Sequence, residues 1–272
     1  MKSTGFIWKG IRHYRSAYSG VLAGAAVGAM VLLGALMAGD SVQESLTKSA
    51  KLRTGKVAEI FTGGERFFRD DLAVRNGGSA MIYLKGQVNV EERAEGQVQV
   101  MGVSEDFWDF APQETSVDLS SFDAAISGPL ARALNLEEGD SAVVRLQKPG
   151  LLSRDAPLSG ESESVSSMRI TVAKILSDEE FGRFSLEQTQ VPPSSVFVPL
   201  KRLQKVLDLN RKANALLLNE DESFDPEKLE LADYGISVVE VPEGVEVRSE
   251  RIFMGPRIAE KIKGEPVLTY LI

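Results

Sequence analysis

From Ser16 to Gly39 the chain reads SAYSGVLAGAAVGAMVLLGALMAG, without a single charged residue. At 1.5 Å per residue the stretch from Gly20 to Gly39 makes a helix of roughly 30 Å, the hydrocarbon thickness of a bilayer. It therefore reads as a transmembrane helix. A cleaved signal peptide is the rival reading, because Lys2, Lys9, Arg12 and Arg15 form a basic leader. The apolar run exceeds the roughly 7 to 15 residues of a signal peptide's apolar region. Its end also lacks a small-x-small cleavage site: cleavage after Ala38 puts Leu36 three positions back, and cleavage after Gly39 puts Met37 there.

The four N-terminal cations face no Asp or Glu before Asp40, so the positive-inside rule predicts a cytoplasmic N-terminus and an extracytoplasmic remainder. Lys9, Arg12 and Arg15, interleaved with Phe6, Trp8, Tyr14 and Tyr18, resemble an interfacial segment at the cytoplasmic headgroups. Of the formal net charge of -8, the N-terminal cations contribute +4, leaving -12 on residues 40–272. An acidic ectodomain of this kind offers no clustered Lys and Arg for a nucleic-acid backbone. Within the span, Gly20, Gly24 and Gly28 repeat every fourth residue and predict a helix-packing face.

Four regions follow: a cytoplasmic interfacial segment at 1–15, a transmembrane helix at 16–39, a helical stalk at 40–54 and a folded domain at 55–272. Val42, Leu46 and Ala50 carry the helical period through the stalk, and Gly55 is expected to end it. Beyond it, Lys56–Thr62 reads as a strand, and Ser79–Arg93 with Gly96–Val103 as a hairpin turning near Ala94–Gly96. Ser127 is expected to cap a helix carrying Pro129 in its first turn, followed by a turn at LEEGD and a strand with Ala142, Val144 and Leu146 on one face.

Residues 148–167, rich in Pro, Gly, Ser and charge, read as a mobile loop that leaves open a division into two lobes. Later strands are expected at Met168–Leu176, Ser195–Leu200, Ala213–Leu218, Ile236–Val241, Val245–Phe253 and Pro266–Ile272, with helices after Pro199, at Asp225–Pro226 and at Pro256–Lys263. The alternation predicts an α+β (mixed α/β) domain behind one transmembrane helix.

Much chemistry is missing. With no Cys and one His, disulfide scaffolds, thiol nucleophiles and His-rich metal sites are excluded. Gly55-Lys56 is followed by Val57, so no phosphate-binding loop is present, and no two glycines stand one residue apart as the dinucleotide fingerprint needs. Acidic clusters such as Glu137-Glu138-Asp140 and Glu220-Asp221-Glu222 sit at expected turns and read as solvated. Counting from Asn219, Asp221, Ser223 and Glu230 match a calcium-loop spacing, but Phe224 stands where that loop needs Gly. Phe107, Trp108 and Phe110 are expected to anchor a loop into the core.

The basic segment, single span, stalk and mixed domain together resemble the N-terminal part of FtsX-like ABC transporter permeases with a MacB-type periplasmic core domain. GPLARALNLEEGDSAVVRL (Gly128–Leu146) is similar to that family's helix, Gly-Asp turn and strand, and FVPLKRLQKVLDLNRKANALLL (Phe197–Leu218) to the strand, helix and strand after it. ERFF at Glu65–Phe68 and RDAPL at Arg154–Leu158 resemble one branch of such permeases.

The resemblance implies a non-catalytic permease subunit without a cofactor of its own. ATP would be bound by a partner ABC subunit, and a second permease copy or paralogue would complete a dimer in the plasma (inner) membrane, residues 40–272 lying in the periplasm. Such permeases carry further spans, and the chain's end inside PVLTYLI is expected to mark a truncation. The competing reading is a single-pass binding or scaffold protein that dimerises through Gly20, Gly24 and Gly28. A carboxylate hydrolase has only the acidic turns behind it.

Overall fold

In a computed structural model of the chain, described for residues 4–64, 66–148, 165–187, 191–242 and 244–249, the uncharged run lies inside one 40-residue helix. Helix α1 spans Thr4–His13 and α2 spans Arg15–Thr54. Two compact units are distinguished, Met1–Ala50 and Lys51–Ile272. The expected helix at Pro256–Lys263, the strand at Pro266–Ile272, Glu65 and the Arg154–Leu158 motif lie outside the described residues.

The second unit is built on an eight-stranded sheet. In chain order its elements are β1 (Glu59–Thr62), β2 (Phe68–Arg69), α3 (Asp71–Asn76), β3 (Ser79–Val90), β4 (Arg93–Val103), β5 (Asp123–Ser127), α4 (Gly128–Leu134), β6 (Ser141–Gln147) and β7 (Val165–Leu176). There follow β8 (Ser195–Pro199), α5 (Leu200–Leu207), β9 (Lys212–Ala213), β10 (Ala215–Leu218) and the ribbon β11 (Ile236–Val241) with β12 (Gly244–Ser249).

Six strands close on themselves in the order β3-β4-β8-β5-β7-β6, because β6 returns to pair with β3 over Gly86–Asn89. Gly86 makes the closure possible: a Cβ there would stand 2.7 Å from the Arg145 carbonyl oxygen and 2.7 Å from a Leu146 methyl. β10, with β1 outside it, pairs with the other end of β3 over Ser79–Met81.

The barrel has twofold pseudo-symmetry. β3 and β4 form an antiparallel pair, as do β6 and β7. β4 runs parallel to β8 as β7 does to β5, while β5 and β8 meet antiparallel at the pseudo-axis. In each half a 3₁₀ turn follows the second strand, Glu105–Phe110 and Asp178–Glu180, and a short helix follows the third. Helices α4 and α5 also end alike. Asn135 and Asp208 take left-handed backbone, and the amides of Leu136 and Leu209 reach back to the carbonyls of Ala131 (2.9 Å) and Gln204 (2.8 Å).

Period-two alternation sends side chains to two cores. Ile82, Val100, Ile126, Val144, Val198 and Leu216 belong to one, packed beneath Leu130, Leu134, Leu203 and Leu207 of the helices. Met81, Met101, Ala125, Phe197 and Leu217 belong to the other, an aromatic cluster with Phe107, Trp108, Phe110, Phe181 and Phe184. The expected apolar face of Ala142, Val144 and Leu146 is buried, and so are Phe107, Trp108 and Phe110.

Four expectations are corrected. The first hairpin turns at Glu91-Glu92, with Glu91 at φ 49°, and Gly96 with Gln97 (φ 56°) forms a β-bulge opposite Gln87 instead. The loop expected at 148–167 is shorter at its C-terminal end, because Val165–Ser167 belong to β7. It joins two paired strands of one barrel, Gln147 opposite Val165. Asp225-Pro226 opens only a 3₁₀ turn, Pro226–Lys228.

Ser127 occupies the N-cap position of α4 but makes no cap bond. Its hydroxyl donates to the Pro193 carbonyl (3.1 Å) and accepts from the Ser195 amide (2.9 Å), joining β5 to the start of β8.

Candidate functional site

Helix α2 is long and apolar enough to cross a membrane by length and composition, and none of its residues is buried within the chain. A solvent-exposed row of Val21, Leu22, Val27, Met30, Val31, Leu32, Leu33, Leu36 and Met37 has no place on a water-soluble surface. Gly20, Gly24 and Gly28 have no atom within 4 Å of where a Cβ would stand, so the face they form is open. At its start, Lys9, Arg12 and Arg15 are exposed beside Trp8, Tyr14 and Tyr18. The amides of Tyr14 and Tyr18 donate to the carbonyls of Gly10 (3.0 Å) and Tyr14 (2.9 Å), carrying the helical hydrogen-bond ladder through the break between α1 and α2.

Within the second unit, the last turn of α2 ends on the aromatic core. The Gly55 amide closes the helix on Lys51 (2.8 Å), and Gly55 then takes φ +60°. A Cβ there would lie 2.1 Å from the Phe110 carbonyl oxygen and 2.7 Å from the Phe181 ring. The next amide, Lys56, donates to that same Phe110 carbonyl at 2.8 Å, while Lys56 Nζ reaches the Asp109 carbonyl (3.3 Å). Phe110 ends the loop that inserts Phe107, whose ring meets Trp108 (5.2 Å), Phe181 (5.1 Å), Phe184 (5.2 Å) and Phe197 (5.8 Å). Edge-to-face and tilted pairs of this kind add about 0.5–1.5 kcal/mol each beyond burial. The stalk's end is thus fixed to a rigid patch at the level of β8.

Sequence reasoning found Gly55 as a helix stop and the aromatic loop as a core anchor, but not that the two meet. The signal available was the positive-φ glycine of a helix C-terminus; its partner lies too far along the chain to be read locally.

A second joint holds the C-terminal ribbon. Asp233, its side chain 1% exposed, accepts from Arg75 Nη2 with both oxygens (2.9 and 2.8 Å). Arg75 also bridges Glu230 (3.3 Å) and Asp71 (3.5 Å), and Arg69 joins Asp71 and Glu230. Burial by itself would lower the Arg75 pKa, but the bond to Asp233 and the charges of Asp233, Glu230 and Asp71 hold it above the ordinary value. At the end of β7, Lys174 bonds Glu180 at 2.7 Å and the Ser177 amide donates to Glu180 at 3.2 Å. Both interactions hold the Glu180 carboxyl below its usual range.

The acidic turns resolve into local structure. Asp140 accepts from the Glu137 amide (2.8 Å), and the Gly-Asp turn is pinned to β7 by Gly139 N–H to Val172 O and Val172 N–H to Asp140 O, both 2.8 Å. In the loop with calcium-like spacing, Asn219 accepts from the Asp221 amide (2.9 Å), Asp225 caps Glu227 (2.9 Å), and Phe224 stacks on Phe61 with centroids 4.1 Å apart. An open cleft of ≈ 440 Å³ lies along this loop, lined by Asn76, Glu222, Phe224 and Lys228 among others. Among the described residues no group of three or more His, Asp or Glu side chains is placed to hold a metal ion.

No family model matches the chain, and no curated protein does. Solved structures are similar to it. The extracellular domain of the noncanonic ABC-type transporter YknZ from Gram-positive bacteria is 12% identical, with a TM-score of 0.38 over 60% of this chain and 82% of that one. The periplasmic region of MacB from Actinobacillus actinomycetemcomitans is 8% identical, with a TM-score of 0.37 over 59% and 72%. A domain of a putative permease protein from Porphyromonas gingivalis is 13% identical, with a TM-score of 0.35 over 65% and 80%.

Proposed function

We propose that this chain is the N-terminal part of an ABC-type permease of the FtsX/MacB kind, a first span with its extracytoplasmic domain, that does no chemistry itself. In this reading a cytoplasmic ATP-binding subunit drives movements that α2 carries outward to the domain, and a second permease copy or paralogue completes the assembly through the face of Gly20, Gly24 and Gly28. The N-terminus lies in the cytoplasm and residues 40–272 outside the membrane, in keeping with the charge asymmetry around the span.

One observation carries the reading. A single helix, Arg15–Thr54, carries both the apolar span and the polar stalk, and within the second unit its last turn ends at Gly55 on the aromatic core. A passive anchor needs only a tether, whereas a helical stalk whose last turn is held by backbone bonds suits the transmission proposed here. The motifs at Gly128–Leu146 and Phe197–Leu218 support the same assignment through their resemblance to the family.

The test is recovery from native membranes in a mild detergent through a tag on this chain. An ATP-binding subunit with vanadate-sensitive ATPase activity is expected in the eluate. Repeated recovery of the chain as a dimer without any ATPase would overturn the permease reading in favour of a scaffold protein.

A further inference from the structure

The cations at the start of α2 are placed regularly. Lys9, Arg12 and Arg15 follow one another at three-residue intervals, so on a continuous helix they climb in steps of about 4.5 Å along one slowly turning strip. The ladder of backbone bonds through Tyr14 keeps that helix continuous. All three side chains are exposed, Trp8 is 73% exposed beside them, and Tyr14 and Tyr18 flank Arg15. No carboxylate occurs among residues 1–39 to neutralise the strip. With Arg15 at the edge of the apolar run, Arg12 lies about 4.5 Å and Lys9 about 9 Å further out, inside and just beyond a headgroup layer roughly 5–7 Å deep on each side of a bilayer. Long cationic side chains also reach sideways and along the helix to keep their charge there.

We propose that Lys9, Arg12 and Arg15 form a binding strip for anionic phospholipids, their guanidinium and ammonium groups engaging headgroup phosphodiesters while Trp8, Tyr14 and Tyr18 fix the depth. Arginine suits this chemistry because its planar fork pairs with phosphate through two hydrogen bonds. The strip thereby makes the seating of α2 depend on the charge of the leaflet that holds the N-terminus. This inference rests on α2 being a span, and not on the transport reading.

The full chain reconstituted in phosphatidylcholine vesicles tests it, with trace spin-labelled phosphatidylglycerol or phosphatidylcholine read by electron paramagnetic resonance. A cation near an anionic surface favours association about fivefold, so the labelled phosphatidylglycerol is expected to associate at least that much more strongly at low salt. The preference is expected to vanish at 1 M salt, where the Debye length is about 3 Å, and to fall severalfold in Lys9→Gln/Arg12→Gln. Equal association of the two lipids at low salt overturns the proposal, whether or not the strip then meets an acidic protein. A double variant with undiminished preference overturns the assignment to these residues. A chain that fails to float with the vesicles overturns the span as well, which separates that failure from this one.

Discussion

The backbone amide of Lys56 donates to the carbonyl of Phe110 at 2.8 Å, one residue past the glycine on which α2 ends. This bond ties the end of the stalk to the aromatic core, and its neighbour Gly55 adopts left-handed backbone in a space with no room for a side chain. Gly55→Ala is expected to cost about 2–4 kcal/mol, from left-handed backbone at about 1–2 kcal/mol plus steric overlap with Phe110 and Phe181. Gly64 is the internal control: it has φ +62° but open space around it, so Gly64→Ala should cost only the backbone part, about 1–2 kcal/mol. Thermal or denaturant unfolding of the two variants checks the ranking, and equal losses would remove the joint.

Arg75 and Asp233 make the second joint. Arg75→Met leaves the Asp233 carboxylate buried without its cation, and such a loss costs about 3–5 kcal/mol where the pair is fully buried. Because Arg75 is partly exposed, the lower end is expected. Amide exchange should accelerate first in β11 and β12, which are attached through Leu231–Tyr234. Unchanged protection of that ribbon would show that other contacts hold it.

Glu180 gives a pH signature. Its folded-state pKa lies below the ordinary value of 4.5, so its contribution is fully present above that value and is lost as pH falls through the depressed folded value. The stability difference between the wild type and Glu180→Gln should therefore be constant near neutrality and shrink below about pH 4.5. Parallel urea titrations across that range check it; a difference that stays constant to pH 3 contradicts the bonding with Lys174.

Ser127→Ala separates two roles for one hydroxyl. As a link between strands, its loss leaves the fully buried Ser195 amide without an acceptor, at about 1–3 kcal/mol. The distinguishing measurement is amide exchange at Ser195 and Val196, expected to rise, against exchange in the first turn of α4, expected to stay the same.

Local features of this fold were legible where local physics decides them. The uncharged run, the stop at Gly55, the alternation through Ala142–Leu146 and the anchoring of Phe107 and Trp108 follow from hydropathy and period. Gly96 suggests a turn in the sequence because glycine serves turns and bulges alike, and only the partner strand distinguishes them. Ser127 has the composition of a cap, but Pro193 and Ser195 compete for its hydroxyl from a distant segment. Barrel closure depends on Gly86 meeting Arg145 and Leu146, and the pseudo-symmetry on matching two halves whose shared residues are few, such as Leu130 and Leu203, Leu134 and Leu207, and Leu136 and Leu209. The candidate site divides the same way: its glycine and cation spacings stand in the sequence, and the seating of α2 on Phe110 and Phe181 does not.

The proposed permease role requires that ATP hydrolysis by a partner subunit alter the joint at Gly55 and Lys56. Hydrogen exchange at the Lys56 and Val57 amides, measured in the complex with the ATP-binding subunit that the permease proposal calls for, without nucleotide and trapped with ATP and vanadate, tests this directly. Exchange is predicted to differ between the two states in the wild type, and the difference to be abolished by Lys48→Pro, which breaks the stalk. Identical exchange in both states of the wild type would contradict the account.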